Sequence, residues 1–178
     1  KKKISSKIKF KSKISSFDPQ AQIISIKNGI KLLYRQNSMT PTFVLHAYLR
    51  GGLAEESSKN NGIYGLLSNC LTKGYKAMPY QKLKLDLEDK SASINGFSGK
   101  NAYGLTLHGQ SEHSKELFSH FFGTLLHPSL PGRWLKHEKQ LGLRALENYK
   151  EEPVKICFRE FNKMIFHGHP YAMETIGT

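Results

Sequence analysis

The 178-residue sequence has no apolar run approaching the roughly 18 residues that a membrane-spanning helix needs, so a helical membrane protein is excluded. It has two cysteines, Cys70 and Cys157, in apolar helical contexts, which argues for buried free thiols rather than a disulfide framework. It is poor in acid: 14 Asp and Glu stand against 27 Lys and Arg, giving a net charge of +13. An excess of that size raises nucleic acid or an anionic membrane surface as partners, and its distribution decides between them and a solvated tail. Lys1, Lys2, Lys3, Lys7, Lys9, Lys11 and Lys13 carry about half of it, and arginine is absent from that opening stretch. Lysine and serine interleaved with isolated Phe10 and Phe17 read as a basic linker or arm over 1–19, with no apolar core of a signal peptide. Residues 20–178 are long enough for one sizeable hydrophobic core.

What is present is a sequence of changing periods. Ile23 to Lys27 and Ile30 to Tyr34 are β-rich and flank Asn28-Gly29, the strongest short hairpin signal. Thr42 to Leu49 has strand composition and stops at Gly51-Gly52. Helical spacing then takes over in Ile63, Leu66, Leu67, Cys70 and Leu71, closed by Gly74, and again in Leu83, Leu85 and Leu87 after Pro79. A second hairpin is expected between Ala92 and Gly109 around Gly99-Lys100-Asn101. Helices follow over Leu117–Leu126, with Phe118, Phe121 and Phe122 predicted as core, over 132–150, and from Pro153 through Phe166. Grouped strands and grouped helices predict an α+β fold, a mainly antiparallel sheet covered on one face by helices.

Several segments stand in an order that resembles the first module of the pitrilysin/insulinase (inverzincin) zinc metallopeptidases: IKNGIKLLYRQN (26–37), VLHAYLRGGLAEE (44–56), NNGIYGLLSNCLTKG (60–74), SASINGFSG (91–99), EKQLGLRALENYKEEP (138–153) and HGHPYAMETIGT (167–178). The resemblance covers about Ile23 to Gly177. Catalytic members carry His-x-x-Glu-His on a helix, two imidazoles one turn apart holding zinc and a glutamate acting as general base. Laying that motif on 62–74 puts it on Gly65, Ser68 and Asn69. Gly65 has no side chain, Ser68 takes no proton at neutral pH, and Asn69 offers a neutral amide. The family's third ligand, a glutamate on a later helix, maps to Ala145, and the family spacing of about 76 residues from the second histidine lands on the same residue. Glu147, two residues on, points about 200° away around the helix and reads as a solvated carboxylate.

The resemblance therefore implies a non-catalytic module without its own zinc or catalytic residue. Zinc is expected in a catalytic half, in the same chain or a partner subunit, with which the module encloses a peptide substrate. It implies that Ile94, Asn95, Gly96 and Phe97 form an edge strand to which extended peptide adds by backbone pairing; an ordinary strand bent at Asn95-Gly96 is the other reading. The family continues past Ile176-Gly177 with a helix and a strand, so the sheet is expected to be incomplete. Bacterial relatives are often periplasmic and organellar ones mitochondrial, with the periplasm favoured for a bacterial chain. The alternatives are a free-standing pseudoenzyme, a basic binding module, and an autonomous metallopeptidase with a zinc site elsewhere. His167 and His169 are the one close pair for such a site, and they sit in a turn where the family carries a His-Pro pair. The other histidines, His46, His108, His113, His120, His127 and His137, are scattered over separate elements.

Overall fold

The computed structural model describes residues 21–149 and 151–177; the lysine-rich arm read from the sequence over 1–19 lies outside the described residues. The chain divides into two compact units, Lys1–Pro41 and Thr42–Thr178. In the first, β1 (Gln22–Ser25) and β2 (Lys31–Tyr34) pair antiparallel with Ile23 opposite Leu33 and Ile24 opposite Leu32. The expected hairpin is present, but its connection is a three-residue turn, Lys27–Gly29, rather than a two-residue one; Asn28 and Gly29 take φ values of 69° and 79°, left-handed conformations that these residues adopt at little steric cost. The Ile26 N–H donates to the Ile30 carbonyl at 2.8 Å and closes the turn.

The second unit runs β3 (Thr42–Arg50), α1 (Ile63–Leu71), β4 (Gly74–Tyr75), β5 (Met78–Pro79), α2 (Tyr80–Asp89), β6 (Ser93–Ser98), β7 (Ala102–Gln110), α3 (Ser114–Leu126), α4 (Gly132–Tyr149) and α5 (Pro153–Ile165). Among the described residues its main sheet has three antiparallel strands in the order β3-β7-β6. Side chains alternate across it as a half-covered sheet demands. Leu105 and Leu107 of β7 and Ile94 of β6 enter the core with Leu71, Leu83, Leu87, Leu117 and Phe121 from the helices. On the opposite face Val44 and Tyr48 are exposed. There His46 Nδ1 meets Thr106 Oγ1 at 2.9 Å, and Tyr48 and Phe97 meet edge to face at 5.2 Å across the Gly104 position, where no side chain separates them. This is the predicted α+β arrangement, helices on one face of an antiparallel sheet.

Three details differ from the sequence reading. The helical spacing of α3 puts Leu117, Phe121 and Thr124 inside, while Phe118 and Phe122 lie about 100° further round and stay 38% and 47% exposed. Phe118 still packs edge to face on Phe43, at 5.1 Å. Cys70 is a buried thiol, but Cys157 is exposed: the half-buried residues of α5 are Ile156, Arg159 and Asn162, and Cys157 lies off that face. The short pair β4–β5 has no sequence signature, being two residues on each side of a turn.

Candidate functional site

The site begins where α1 begins. Gly62 precedes the helix with φ 88°, and the first turn of any α-helix leaves backbone N–H groups without intrahelical acceptors. The Glu56 carboxylate, 6% exposed, supplies them: Oε2 accepts from the Gly62 N–H at 2.7 Å and from Asn61 Nδ2 at 2.8 Å, and Oε1 accepts from the Tyr64 N–H at 3.1 Å. Its negative charge also lies at the positive end of the helix dipole. Asn61 Nδ2 donates in addition to the Glu174 carbonyl at 2.9 Å, so the C-terminal segment is tied to the start of α1.

Between α1 and α4 lies a cavity of about 630 Å³. The geometry brings together three of the four positions mapped from the sequence: Gly65 and Asn69 from α1 and Ala145 from α4 all line it. A Cβ on Gly65 would meet the Thr175 carbonyl oxygen at 3.4 Å, an ordinary contact, so a side chain there is sterically admissible. Ser68 does not line the cavity. It is 1% exposed, its hydroxyl donates to the Gly65 carbonyl at 2.9 Å, and its own carbonyl presses on Gly96 of β6. Glu147 is exposed and does not line the cavity.

The residues present do not suit a zinc ion. Among the described residues no histidine lines the cavity, and its one carboxylate, Glu138, is 7% exposed and held by the Lys73 ammonium at 2.8 Å. Lys59 and Lys139 add positive charge to the same wall, which opposes a divalent cation. The Cys70 thiol, next to Asn69 on α1, is pushed up by burial and by the Glu138 charge, with Lys73 opposing.

The strand β6 lies at an edge of its sheet, and among the described residues the backbone of Ser93–Ser98 pairs with β7 alone. The four residues singled out in it divide by face. Ile94 is committed to the core. Gly96 is regular strand rather than a bend: its lack of a side chain lets the α1 backbone approach. Asn95 is exposed and donates to Ser93 Oγ at 3.2 Å, and Phe97 packs on Tyr48. A second cavity, of about 330 Å³, runs beside Ser93 to Asn95 between β6 and α2.

One cluster was invisible in the sequence because it depends on how α2 and α3 pack. His120, 4% exposed, meets Asp86 Oδ2 through Nε2 at 2.6 Å and the Tyr75 hydroxyl through Nδ1 at 3.1 Å. Glu116 completes the one set among the described residues whose ligand atoms lie close enough for a metal. Lys90 already neutralises it, with its ammonium 2.7 Å from Asp86 and 3.5 Å from Glu116. The Lys90 hydrogen bond, and after it that of His120, holds the Asp86 carboxyl below its ordinary value; burial and the Asp86 charge raise the Tyr75 phenol. The His167/His169 pair makes a turn: His169 Nδ1 accepts from the Tyr171 N–H at 3.2 Å, and His167 is exposed. No helix among the described residues is long and apolar enough to cross a membrane.

The result is an α+β module, an antiparallel sheet with helices on one face and a cavity between α1 and α4 on which Gly65, Asn69 and Ala145 meet. No protein-family model matches the chain. Among curated proteins it is 21% identical over 159 residues to the probable mitochondrial-processing peptidase subunit beta of Schizosaccharomyces pombe, covering 89% of this chain and 35% of that protein. It is 23% identical over 159 residues to the mitochondrial cytochrome b-c1 complex subunit 1 of Bos taurus, covering 89% and 33%. The chain thus spans about a third of the length of the curated relatives it matches. The solved structure of a peptidase M16 inactive domain from Pseudomonas fluorescens shares its fold with a TM-score of 0.78 and 24% identity, over 88% of this chain and 38% of that one. In sequence and fold the chain is thus similar to pitrilysin/insulinase-type peptidases and their inactive relatives, and it carries no His-x-x-Glu-His.

Proposed function

We propose that this chain is a non-catalytic module of a pitrilysin/insulinase-type zinc metalloendopeptidase, and that it helps to enclose a peptide substrate beside a catalytic half that holds the zinc. The catalytic half belongs to the same polypeptide or to a partner subunit. Gly65, Ser68, Asn69 and Ala145 are read as the positions where a zinc site has been lost. The observation that carries the reading is the meeting of Gly65, Asn69 and Ala145, from two helices, on the wall of one cavity. A chance mapping of two segments so distant in sequence has no reason to converge on one space. The edge strand β6 supports the peptide-binding part, because an extended chain can add to its open side by backbone hydrogen bonds without any catalytic group.

The test is metal analysis and peptide hydrolysis on the purified chain, alone and together with a neighbouring segment or subunit that bears an intact His-x-x-Glu-His. The expected result is no stoichiometric zinc and no cleavage of an unstructured peptide by the chain alone, with cleavage once the catalytic half is added. Stoichiometric zinc with cleavage by the chain alone would overturn the reading.

A further inference from the structure

The charges around the cavity between α1 and α4 are of one sign once each nearby acid is assigned its partner. Lys59, just ahead of α1, and Lys139, on α4, bring a cation to it from each side. Both are exposed, and among the described residues neither side chain makes an ion pair or a hydrogen bond. The acids are turned elsewhere. Glu138 is buried against the Lys73 ammonium at 2.8 Å, and Glu56 is engaged by the N–H groups at the head of α1. The Glu174 carboxylate faces the Tyr149 phenol, which burial and then the Glu174 charge push up. Asn69 adds to the wall an exposed amide whose N–H groups have no partner among the described residues. Two unmatched ammonium groups and an amide donor suit an anion.

The kind of anion follows from the rest of the lining. Phosphate groups are typically held by backbone N–H groups at a helix N-terminus or by the fork of an arginine. At the head of α1 the Gly62 and Tyr64 N–H groups already have the Glu56 carboxylate, and no arginine lines the cavity. Lysines present point charges instead, and Ile63, Leu66, Leu141, Leu146 and Ile176 give the same wall aliphatic surface. A carboxylate at the end of an aliphatic stem matches both features. The space is kept open by Gly65, Gly142 and Ala145, and a Cβ on Gly142 would meet nothing within 4 Å.

We propose that this cavity receives glutamate side chains of the enclosed peptide, so that the module selects acidic peptide substrates. The inference rests on the peptide-enclosing reading above and names the substrate class for it.

The full chain is titrated, by fluorescence anisotropy, with an unstructured peptide carrying several glutamates and with its counterpart carrying glutamine at the same positions. The glutamate peptide is expected to bind at least about fivefold more tightly. The chain carries a net charge of +13, so two double variants of equal charge separate a general attraction for acid from the cavity itself. Lys59→Gln with Lys139→Gln is expected to weaken the glutamate peptide about fivefold and to leave the glutamine peptide unchanged. Lys82→Gln with Lys115→Gln, at exposed positions that do not line the cavity, is expected to weaken the glutamate peptide less than about twofold. Gly142→Leu puts a side chain into the open space and is expected to weaken the glutamate peptide as well. Equal binding of the two peptides, equal losses in the two double variants, or a Gly142→Leu variant that binds as the parent does would each overturn the inference and leave the peptide reading in place. Binding of neither peptide overturns the peptide reading itself, and the inference with it.

Discussion

Gly96 lies so close beneath the carbonyl of Ser68 that a Cβ on the strand would run into the helix backbone. This single approach sets the height of α1 above β6, and with it the distance from the sheet to the cavity between α1 and α4.

Gly96→Ala therefore forces α1 off the sheet. A loss of about 3 kcal/mol or more is expected, read as a lower urea midpoint at unchanged slope. Gly142→Ala, on α4 where a Cβ meets nothing within 4 Å, is the control and is expected to be neutral or slightly stabilising. Equal midpoints for the two variants would contradict the packing.

Glu56 gathers three N–H donors at the head of α1. Glu56→Ala removes their shared acceptor, leaving the half-buried Gly62 and Tyr64 N–H groups unpaired, and is expected to cost about 2 kcal/mol, while Glu56→Gln keeps part of the network and costs less. Hydrogen exchange at Gly62 and Tyr64 should accelerate in the alanine variant before exchange elsewhere in the unit does.

Asp86 gives a pH dependence with a definite sign. Its carboxyl is held below 3.8 by Lys90 and then by His120, so the folded state favours the charged form. The stabilisation is complete above the unfolded-state value near 3.8 and is lost as the pH falls through the lower folded-state value. Asp86→Asn should flatten the acid limb of a plot of melting temperature against pH below about 4, and lower the melting temperature at pH 7. An acid limb as steep as in the parent chain would remove Asp86 from the account.

The mapping of the lost zinc site can be tested by refilling it. Gly65→His, Asn69→His and Ala145→Glu together supply three ligands around the cavity and are expected to create zinc binding, measured by calorimetry against a chelator. Adding Ser68→Glu brings back the position of the base, at a stability cost, because Ser68 is buried. No gain in zinc affinity by the folded triple variant would count against the mapping.

The parts of the structure legible in the sequence are those where one residue type is almost obligatory. Asn28-Gly29 was readable because few other pairs accept two left-handed conformations in succession. The sheet and α1 were readable from their periods, whereas the mapping of Gly65, Asn69 and Ala145 came from the family resemblance. Periodicity gives the buried side of a helix but not its width, which is why Phe118 and Phe122 were placed too deep. It also says nothing of which helices meet, so the Asp86, Glu116 and His120 cluster appears only in three dimensions. A bend at Asn95-Gly96 stood as a second reading beside the edge strand because glycine in a strand has two uses, and only the position of Ser68 distinguishes them.

The bond from Asn61 to the Glu174 carbonyl joins positions 113 residues apart. Contacts of such separation form late, since a long stretch of chain must be closed before they repay the entropy. During synthesis α1 can pair with β6 as soon as that strand has emerged, but the network at its head waits for the segment around residue 174. The mouth of the cavity is thus closed by a long-range contact, while the packing of α1 on β6 needs far less chain.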